Sequence, residues 1–187
     1  MTQTIDPPRY IIRNARTAEI PAIRAMQERS MVVLGGGFYS DEEIASFLTQ
    51  YGTMDDAVID EGHFFVAADP VGRILGSGAW TRRRPDYARE LEMDPETETL
   101  PTVRSVFVDP AVERRGIASS IMARLERDAV EHGVRELSLT ATLSGVALYE
   151  RLGYRRWNIT QLALNGNIGF ACIRMTKRLG ATNRVAA

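Results

Sequence analysis

The apolar positions of this chain fall into short blocks whose period changes from block to block, and each change marks an element. Tyr10-Ile11-Ile12-Arg13-Asn14-Ala15 is rich in β-branched and aromatic residues and predicts a strand. Thr17 then precedes Ile20, Ile23, Met26 and Gln27 at helical spacing, with Pro21 where a first turn tolerates it, so a helix is expected from Thr17 toward Leu34. Gly35-Gly36-Gly37 ends it, because three glycines lose too much backbone freedom to stay helical. Ser40-Asp41-Glu42-Glu43 has capping-box spacing and predicts a second helix with Ile44, Phe47 and Leu48 on one face. His63 to Ala68 and Arg73 to Trp80 read as two strands joined by the turn residues Asp69-Pro70-Val71-Gly72. Arg82 to Leu100 is charged, carries proline and lacks a period; it reads as an excursion from the sheet rather than a domain boundary. Thr102 to Val108 is the next strand, stopped by Asp109-Pro110.

From Gly116 the period becomes helical. Ile117, Ala118, Ile121, Met122, Leu125 and Ala129 form the stripe of a helix packed on a sheet, and His132-Gly133 supplies its stop. Leu137, Leu139 and Ala141 alternate with Ser138 and Thr140, which is strand periodicity. A short helix over about Gly145 to Leu152 ends at Gly153, and Phe170 to Thr176 can form a last strand. Helices interspersed among strands predict an α/β (α+β) domain built on a mixed sheet flanked by helices. The expected organisation is an unstructured segment at 1–9, one domain over 10–179 and a frayed tail at 180–187.

Composition narrows the class. At 187 residues, 44% apolar and 25% charged, the chain suits about one globular domain. Its longest apolar runs are strand-sized, such as Phe64-Phe65-Val66-Ala67-Ala68, so no membrane span is expected. The first residues have neither a basic flank nor an apolar core, and a cytoplasmic location is expected. A net charge of −1 argues against nucleic acid or anionic membrane as the main partner. One cysteine and two histidines make a poor metal inventory, so no metal is expected.

The candidate chemistry starts at Val106-Phe107-Val108-Asp109-Pro110-Ala111-Val112-Glu113-Arg114-Arg115-Gly116-Ile117-Ala118-Ser119, where a strand leads through two arginines to a glycine opening an amphipathic helix. A helix start offers unpaired N–H groups and about half a positive charge, which suits a pyrophosphate. Arg114 and Arg115 would add charge, and Gly116 and Ala118 would let the anion approach the main chain. The same residues are equally a plain strand-to-helix turn with two solvated arginines. The loop has neither the Gly-Lys-Ser/Thr of a Walker loop nor the Gly-x-Gly-x-x-Gly of a dinucleotide fold.

A helix and a strand downstream stands Ser144-Gly145-Val146-Ala147-Leu148-Tyr149-Glu150-Arg151-Leu152-Gly153-Tyr154. With this run the chain resembles the GNAT superfamily of acyl-CoA-dependent N-acyltransferases. The strand ending in Val-x-Pro, the Arg-Arg-Gly-Ile-Ala loop and the Ala-Leu-Tyr-Glu-Arg-Leu-Gly-Tyr helix match its two central motifs in order and separation, over about Val103 to Arg155. The resemblance implies a mostly antiparallel central sheet with a V-shaped splay between the strands at 102–108 and 137–141. It implies acetyl-CoA as co-substrate in that opening. Main-chain groups of Val106, Phe107 and Val108 would bond the pantetheine arm, and Arg114, Arg115, Gly116, Ile117, Ala118, Ser119 and Ser120 would hold the pyrophosphate, with Ser144 as a further contact. Glu113 departs from the family's loop, which has Gln or Arg there, and a carboxylate beside a pyrophosphate is repulsive unless it points away.

Aminolysis of a thioester needs a neutral amine, a stabilised oxyanion and a proton for the leaving thiolate. Removing the proton of a lysine-like amine at neutral pH costs about 4–5 kcal/mol, so a base is useful. The resemblance places Tyr149 as the thiolate's proton donor; in isolation Tyr149 would instead border the apolar face of Leu148 and Leu152. The strand at 102–108 has no carboxylate or histidine; Glu92, Asp94, Glu96 and Glu98 just upstream are candidates for the base, although each taken singly reads better as part of a solvated acidic loop. Tyr39 is expected to line an acceptor pocket or to join the core. His63 and Cys172 are expected to be structural, and Arg82-Arg83-Arg84 to be a solvated turn or part of the cleft. The function expected is acetyl transfer from acetyl-CoA to a primary amine, of a small molecule rather than a protein, by direct attack through a tetrahedral intermediate. The alternative is a non-catalytic acyl-CoA sensor on the same scaffold. A homodimer is possible on the resemblance, although no apolar stripe marks its surface.

Overall fold

Among the described residues seven strands build the sheet, one more than the apolar periodicity picks out. The computed structural model describes residues 9–54, 56–83, 99–166 and 168–180. In chain order it has β1 (Ile11–Asn14), a 3-10 turn (Thr17–Glu19), α1 (Ile20–Gly35), α2 (Asp41–Gln50), α3 (Ala57–Asp60), β2 (Phe64–Ala68), β3 (Ile74–Thr81) and β4 (Thr102–Val108). A 3-10 turn (Pro110–Val112), α4 (Ile117–Glu131), β5 (Glu136–Thr142), another 3-10 turn (Leu143–Gly145), α5 (Val146–Arg151), β6 (Arg155–Leu164) and β7 (Ile168–Arg178) follow. The strand order is β1-β2-β3-β4-β5-β7-β6. Every described pair is antiparallel except β4 with β5. The expected mixed, mostly antiparallel sheet flanked by helices is the one observed.

The additional strand, β6, carries no apolar alternation in its first half because it is an edge. Arg155, Arg156, Trp157, Asn158 and Ile159 are all exposed, and the buried positions are Leu162 and Leu164. Its hairpin with β7, from Arg155↔Thr176 to Leu164↔Ile168, lengthens the expected last strand at both ends. The first helix opens as a 3-10 turn and becomes α-helical at Ile20, with Pro21 in its first turn. At α2 the capping box forms: Ser40 Oγ accepts from the Glu43 N–H at 3.2 Å while the Glu43 carboxylate accepts from the Ser40 N–H at 2.7 Å.

Three apolar clusters hold the layers together. On one face, α4 buries Ile117, Ile121, Met122, Leu125 and Ala129 against Phe65, Leu75, Trp80, Val103 and Leu139. Gly76 and Gly78 in β3 allow this approach: a Cβ at Gly78 would lie 2.7 Å from the Ile121 side chain. On the other face, Ile23 and Met26 of α1 cover Phe64, Val66, Ile74 and Ala79. The third cluster joins Tyr39 and Ile44 to Leu162, Phe170 and Cys172 at the β6–β7 end. No described helix is long and apolar enough to cross a membrane.

Candidate active site

Between β4 and β5 the sheet comes apart. The strands pair at Thr102↔Ser138 and Val103↔Leu139. The Ser138 N–H donates to Pro101 O at 2.9 Å and the Thr102 and Ser138 hydroxyls lie 3.0 Å apart. Beyond Val103 the ladder stops, so residues 104–108 present a free main-chain edge to the gap. This is the splay expected between the strands at 102–108 and 137–141.

A β-bulge re-aims β4 at the start of that gap. Ser77 pairs with Phe107 and Ala79 with Arg104, so Ser105 and Val106 together stand opposite Gly78. Ser105 takes a left-handed backbone with φ of 55°, a conformation that costs a non-glycine residue about 1–3 kcal/mol. A buried relay holds it: Gln27 Nε2 donates to Ser77 Oγ at 3.0 Å, Ser77 Oγ to Ser105 O at 2.8 Å, and Ser105 Oγ to Thr53 O at 3.3 Å. The extra residue shifts the alternation, so that Val106 packs toward α4 while Phe107 packs with the opposite clusters.

The gap encloses a cavity of about 120 Å³, whose lining includes Tyr51, Arg104, Val106, Phe107, Leu139, Thr142, Tyr149 and Cys172. It therefore brings Tyr149 of α5 to the same space as Val106 and Phe107. Tyr149 is buried and packs edge-on against Tyr154, with ring centroids 5.8 Å apart. Burial pushes the Cys172 thiol up to about 12, so at neutral pH it is protonated and not a nucleophile. Among the described residues, no carboxylate or imidazole lines the cavity. Arg104 is a residue the sequence reading passed over. Its Nε is buried without a hydrogen-bond partner, an omission that costs a buried donor about 1–3 kcal/mol. A basic residue inside an otherwise apolar strand, Val103-Arg104-Ser105-Val106, was the available signal.

Val108 stands farther along the free edge, outside the cavity, where Asp109 anchors the chain. Asp109 Oδ1 accepts from the Ala111 N–H at 3.0 Å, and Oδ2 accepts from Arg73 at 2.8 Å and Arg29 at 3.2 Å. Burial raises the Asp109 carboxyl, but these hydrogen bonds outweigh it and hold the group below its usual range. The loop that follows is exposed from Glu113 to Gly116. Arg114 and Gly116 both have left-handed backbones, with φ of 60° and 78°, a turn chemistry that points successive N–H groups into one concavity. Nothing lies within 4 Å of a Cβ built on Gly116, so the glycine serves conformation and leaves space above the loop. The first backbone hydrogen bond of α4 is Ser120 N–H to Gly116 O at 3.0 Å, and no side chain caps the helix. The N–H groups of Ile117, Ala118 and Ser119 are thus without a partner from the helix's own carbonyls. Ser120 Oγ accepts from Tyr10 Oη at 2.9 Å. Arg114, Arg115 and Ser144 lie outside the cavity lining; Ser144 is in the turn before α5, its Oγ 3.1 Å from Thr142 Oγ1. Glu113 makes no ion pair with either arginine.

The remaining candidates are placed elsewhere. Tyr39 belongs to the core: its hydroxyl donates to Ala171 O at 2.6 Å, accepts from the Leu143 N–H at 2.7 Å, and its ring stacks on Phe170 at 4.0 Å. Burial pushes its ionisation upward, out of reach of acid–base work. His63 is structural, and it meets the second histidine, which spacing alone did not reveal. Asp128 Oδ2 accepts from Trp80 Nε1 at 2.8 Å and lies 2.7 Å from His63 Nδ1, while His132 Nδ1 lies 2.8 Å from Asp128 O. Arg82 donates to His132 O at 2.9 Å and Arg83 lies 3.7 Å from Glu61, so neither lines the cavity. Arg84, Glu92, Asp94, Glu96 and Glu98 lie outside the described residues.

The fold and site define a mixed α/β domain whose sheet opens at its parallel pair beside an uncapped helix start. The family model of the acetyltransferase (GNAT) domain matches residues 60–156, just over half of the chain, and the chain belongs to that family. It is 31% identical over 110 residues to the mycothiol acetyltransferase of Salinispora tropica, a match covering 56% of this chain and 32% of that protein. The chain thus spans about a third of the length of that curated relative. Among solved structures it is similar to a GCN5-related N-acetyltransferase from Rhodopseudomonas palustris, with a TM-score of 0.71 and 17% identity over 94% of this chain and 99% of that one. It is also similar to the PaiA N-acetyltransferase of Thermoplasma acidophilum, solved in complex with coenzyme A, with a TM-score of 0.65 and 14% identity over 91% and 99% of the two chains. At such identities these two likenesses concern the fold.

Proposed function

We propose that this domain is an acetyl-CoA-dependent N-acetyltransferase whose acceptor is the primary amine of a small molecule. The observation that carries this reading is the opening between β4 and β5, whose cavity is walled by Tyr149 and by the free edge of β4. The residues suit the co-substrate. At Val106, Phe107 and Val108 the edge of β4 that β5 leaves unpaired offers main-chain groups to the amides of a pantetheine arm. Arg114, Arg115 and the N–H groups from Gly116 to Ser119 offer charge and donors to a pyrophosphate, with Ser120 and Ser144 as further contacts to the co-substrate.

In the reaction so assigned, the neutral amine nitrogen bonds to the acetyl carbonyl carbon, a tetrahedral oxyanion forms, and the nitrogen gives up its extra proton to water. Collapse of the oxyanion breaks the C–S bond, and the thiolate takes a proton from the Tyr149 phenol, which is refilled from solvent. A phenol near pKa 10 gives its proton to a thiolate whose acid is near 8.5 slightly uphill, so close placement supplies most of the gain. The amide product holds no covalent link to the protein at any stage.

Thiol release from acetyl-CoA across a panel of amines tests this. Turnover above the hydrolysis background is expected for at least one amine, and its absence for all would sink the reading. The second reading, an acyl-CoA sensor, is favoured by the lack of any carboxylate or imidazole in the described cavity lining. It predicts thermal stabilisation by acetyl-CoA without transfer.

A further inference from the structure

Arg104 occupies an unusual place for a guanidinium. It sits on β4 between two buried residues, Val103 and Ser105, one position before the bulge. Its Nε is buried and unpartnered, and the residue lines the cavity. Arg13, Arg73 and Arg124 each meet a carboxylate at 3.3 Å or less. Among the described residues Arg104 has none, and the walls around it are apolar (Phe47, Met54, Phe107, Leu162) or hydroxylic. A guanidinium with a buried, unpartnered Nε at a cavity wall presents a planar fork of donors that suits a carboxylate. The size of the space sets the scale of the ligand. At about 120 Å³ it is slightly smaller than an engineered cavity of about 150 Å³ that holds benzene, enough for a side chain and too small for a folded protein surface.

We propose that Arg104 binds a carboxylate of the acceptor, and that the acceptor is a small primary amine of the amino-acid class. This rests on the acetyltransfer reading and deepens it. The anion held at Arg104 fixes the amine a few bonds away, beside the bulge at Ser105 and Val106 and facing Tyr149. Amines of the same shape without the carboxylate lose that anchor and leave the buried Nε unpaired, which penalises them further.

The test compares the common amino acids pairwise with their carboxamides, reading kcat/KM by thiol release in wild type, Arg104→Gln and Arg104→Lys. A charge-assisted pair of this kind is worth about 10- to 150-fold, so at least one acid is expected to exceed its carboxamide by that factor. Arg104→Gln should bring the ratio to about one while the KM for acetyl-CoA holds, and Arg104→Lys should restore part of it; the lysine variant carries the test if the glutamine variant fails to fold. Carboxamides equal to or better than their acids, or a ratio that survives in Arg104→Gln, overturns the proposal. If no amine is acetylated, acetyltransfer fails separately, and 4-methylpentanoate, which has the carboxylate but no amine, still decides. A rise in melting temperature of the wild type with coenzyme A present, missing in Arg104→Gln, supports an anion site, and no rise in either refutes it.

Discussion

The two faces of the sheet beside β3 and β4 treat buried polar groups in opposite ways. On the α4 face, Asp128 collects Trp80, His63 and Arg124, and the His132 ring closes the cluster through the Asp128 carbonyl. Aromatic contact reinforces it, with the His63 ring stacked 4.0 Å from Trp80 and edge-on to His132 at 4.5 Å. On the other face, one ladder position away, the Arg104 Nε is left without a partner, Ser105 is held in a left-handed backbone, and the edge of β4 beyond Val103 that faces β5 is left unpaired by it. A satisfied network rigidifies a fold, whereas an unsatisfied one carries a standing cost that a ligand can relieve. On the proposed function, the contrast separates residues that serve stability from residues that serve chemistry, and it can be broken by mutation on either side.

The largest effect is expected on the satisfied side. Asp128→Ala leaves Trp80 Nε1, His63 and Arg124 facing an empty position and should cost about 3–5 kcal/mol. The corresponding fall in melting temperature, at about 2–4 °C per kcal/mol for a domain of this size, is read by thermal denaturation. A fall of less than about 3 °C would mean the cluster is ornamental. On the open side, Tyr149→Phe should lower kcat about 100-fold, within the range for general acids, while acetyl-CoA binding by calorimetry changes less than about threefold. Equal losses in rate and binding would remove the hydroxyl from the chemistry.

Asp109 lies between the two behaviours, a saturated carboxylate that anchors the open loop. Its folded-state ionisation is held low, so its stabilisation is present above the unfolded carboxyl value near 4 and is lost as pH falls through the lowered folded value. Glu19, held low by the hydrogen bonds from Arg13, adds to the same acid window. Melting temperature should therefore fall steeply below about pH 4. Asp109→Asn should flatten that slope and cost about 1–3 kcal/mol at neutral pH; an unchanged slope would contradict the assignment. The smallest effect is expected at Ser40→Ala, about 1 kcal/mol from the lost cap of α2, with acetyl-CoA affinity untouched.

The sequence made legible what local chemistry decides. The capping box at Ser40, the alternation of Leu137, Leu139 and Ala141, and the stripe of α4 each state their own element, and all are present. The motifs around Gly116 and Tyr149 named the family before any coordinates did. β6 was hidden because an edge strand exposed through Ile159 has no face to bury and hence no period; the Asn165-Gly166 pair beside Leu162 and Leu164 was the turn signal that pointed to it. The Asp128 cluster was hidden because His63 and Asp128 are 65 positions apart, and pairing at that range depends on the fold. Arg104 stood out in the sequence only as a basic residue inside a mostly apolar strand; that its Nε lacks a partner depends on the fold.

The claim on which the rest stands is that the gap between β4 and β5 takes acetyl-CoA. A crystal structure with acetyl-CoA soaked into the protein tests it most directly. The account predicts the pantetheine arm bonded to the main chain of Val106 to Val108, the pyrophosphate on the N–H groups between Arg115 and Ser120, and the thioester sulfur beside the Tyr149 hydroxyl. A coenzyme bound outside the gap, or a Gly116 turn closed against it, would contradict the account.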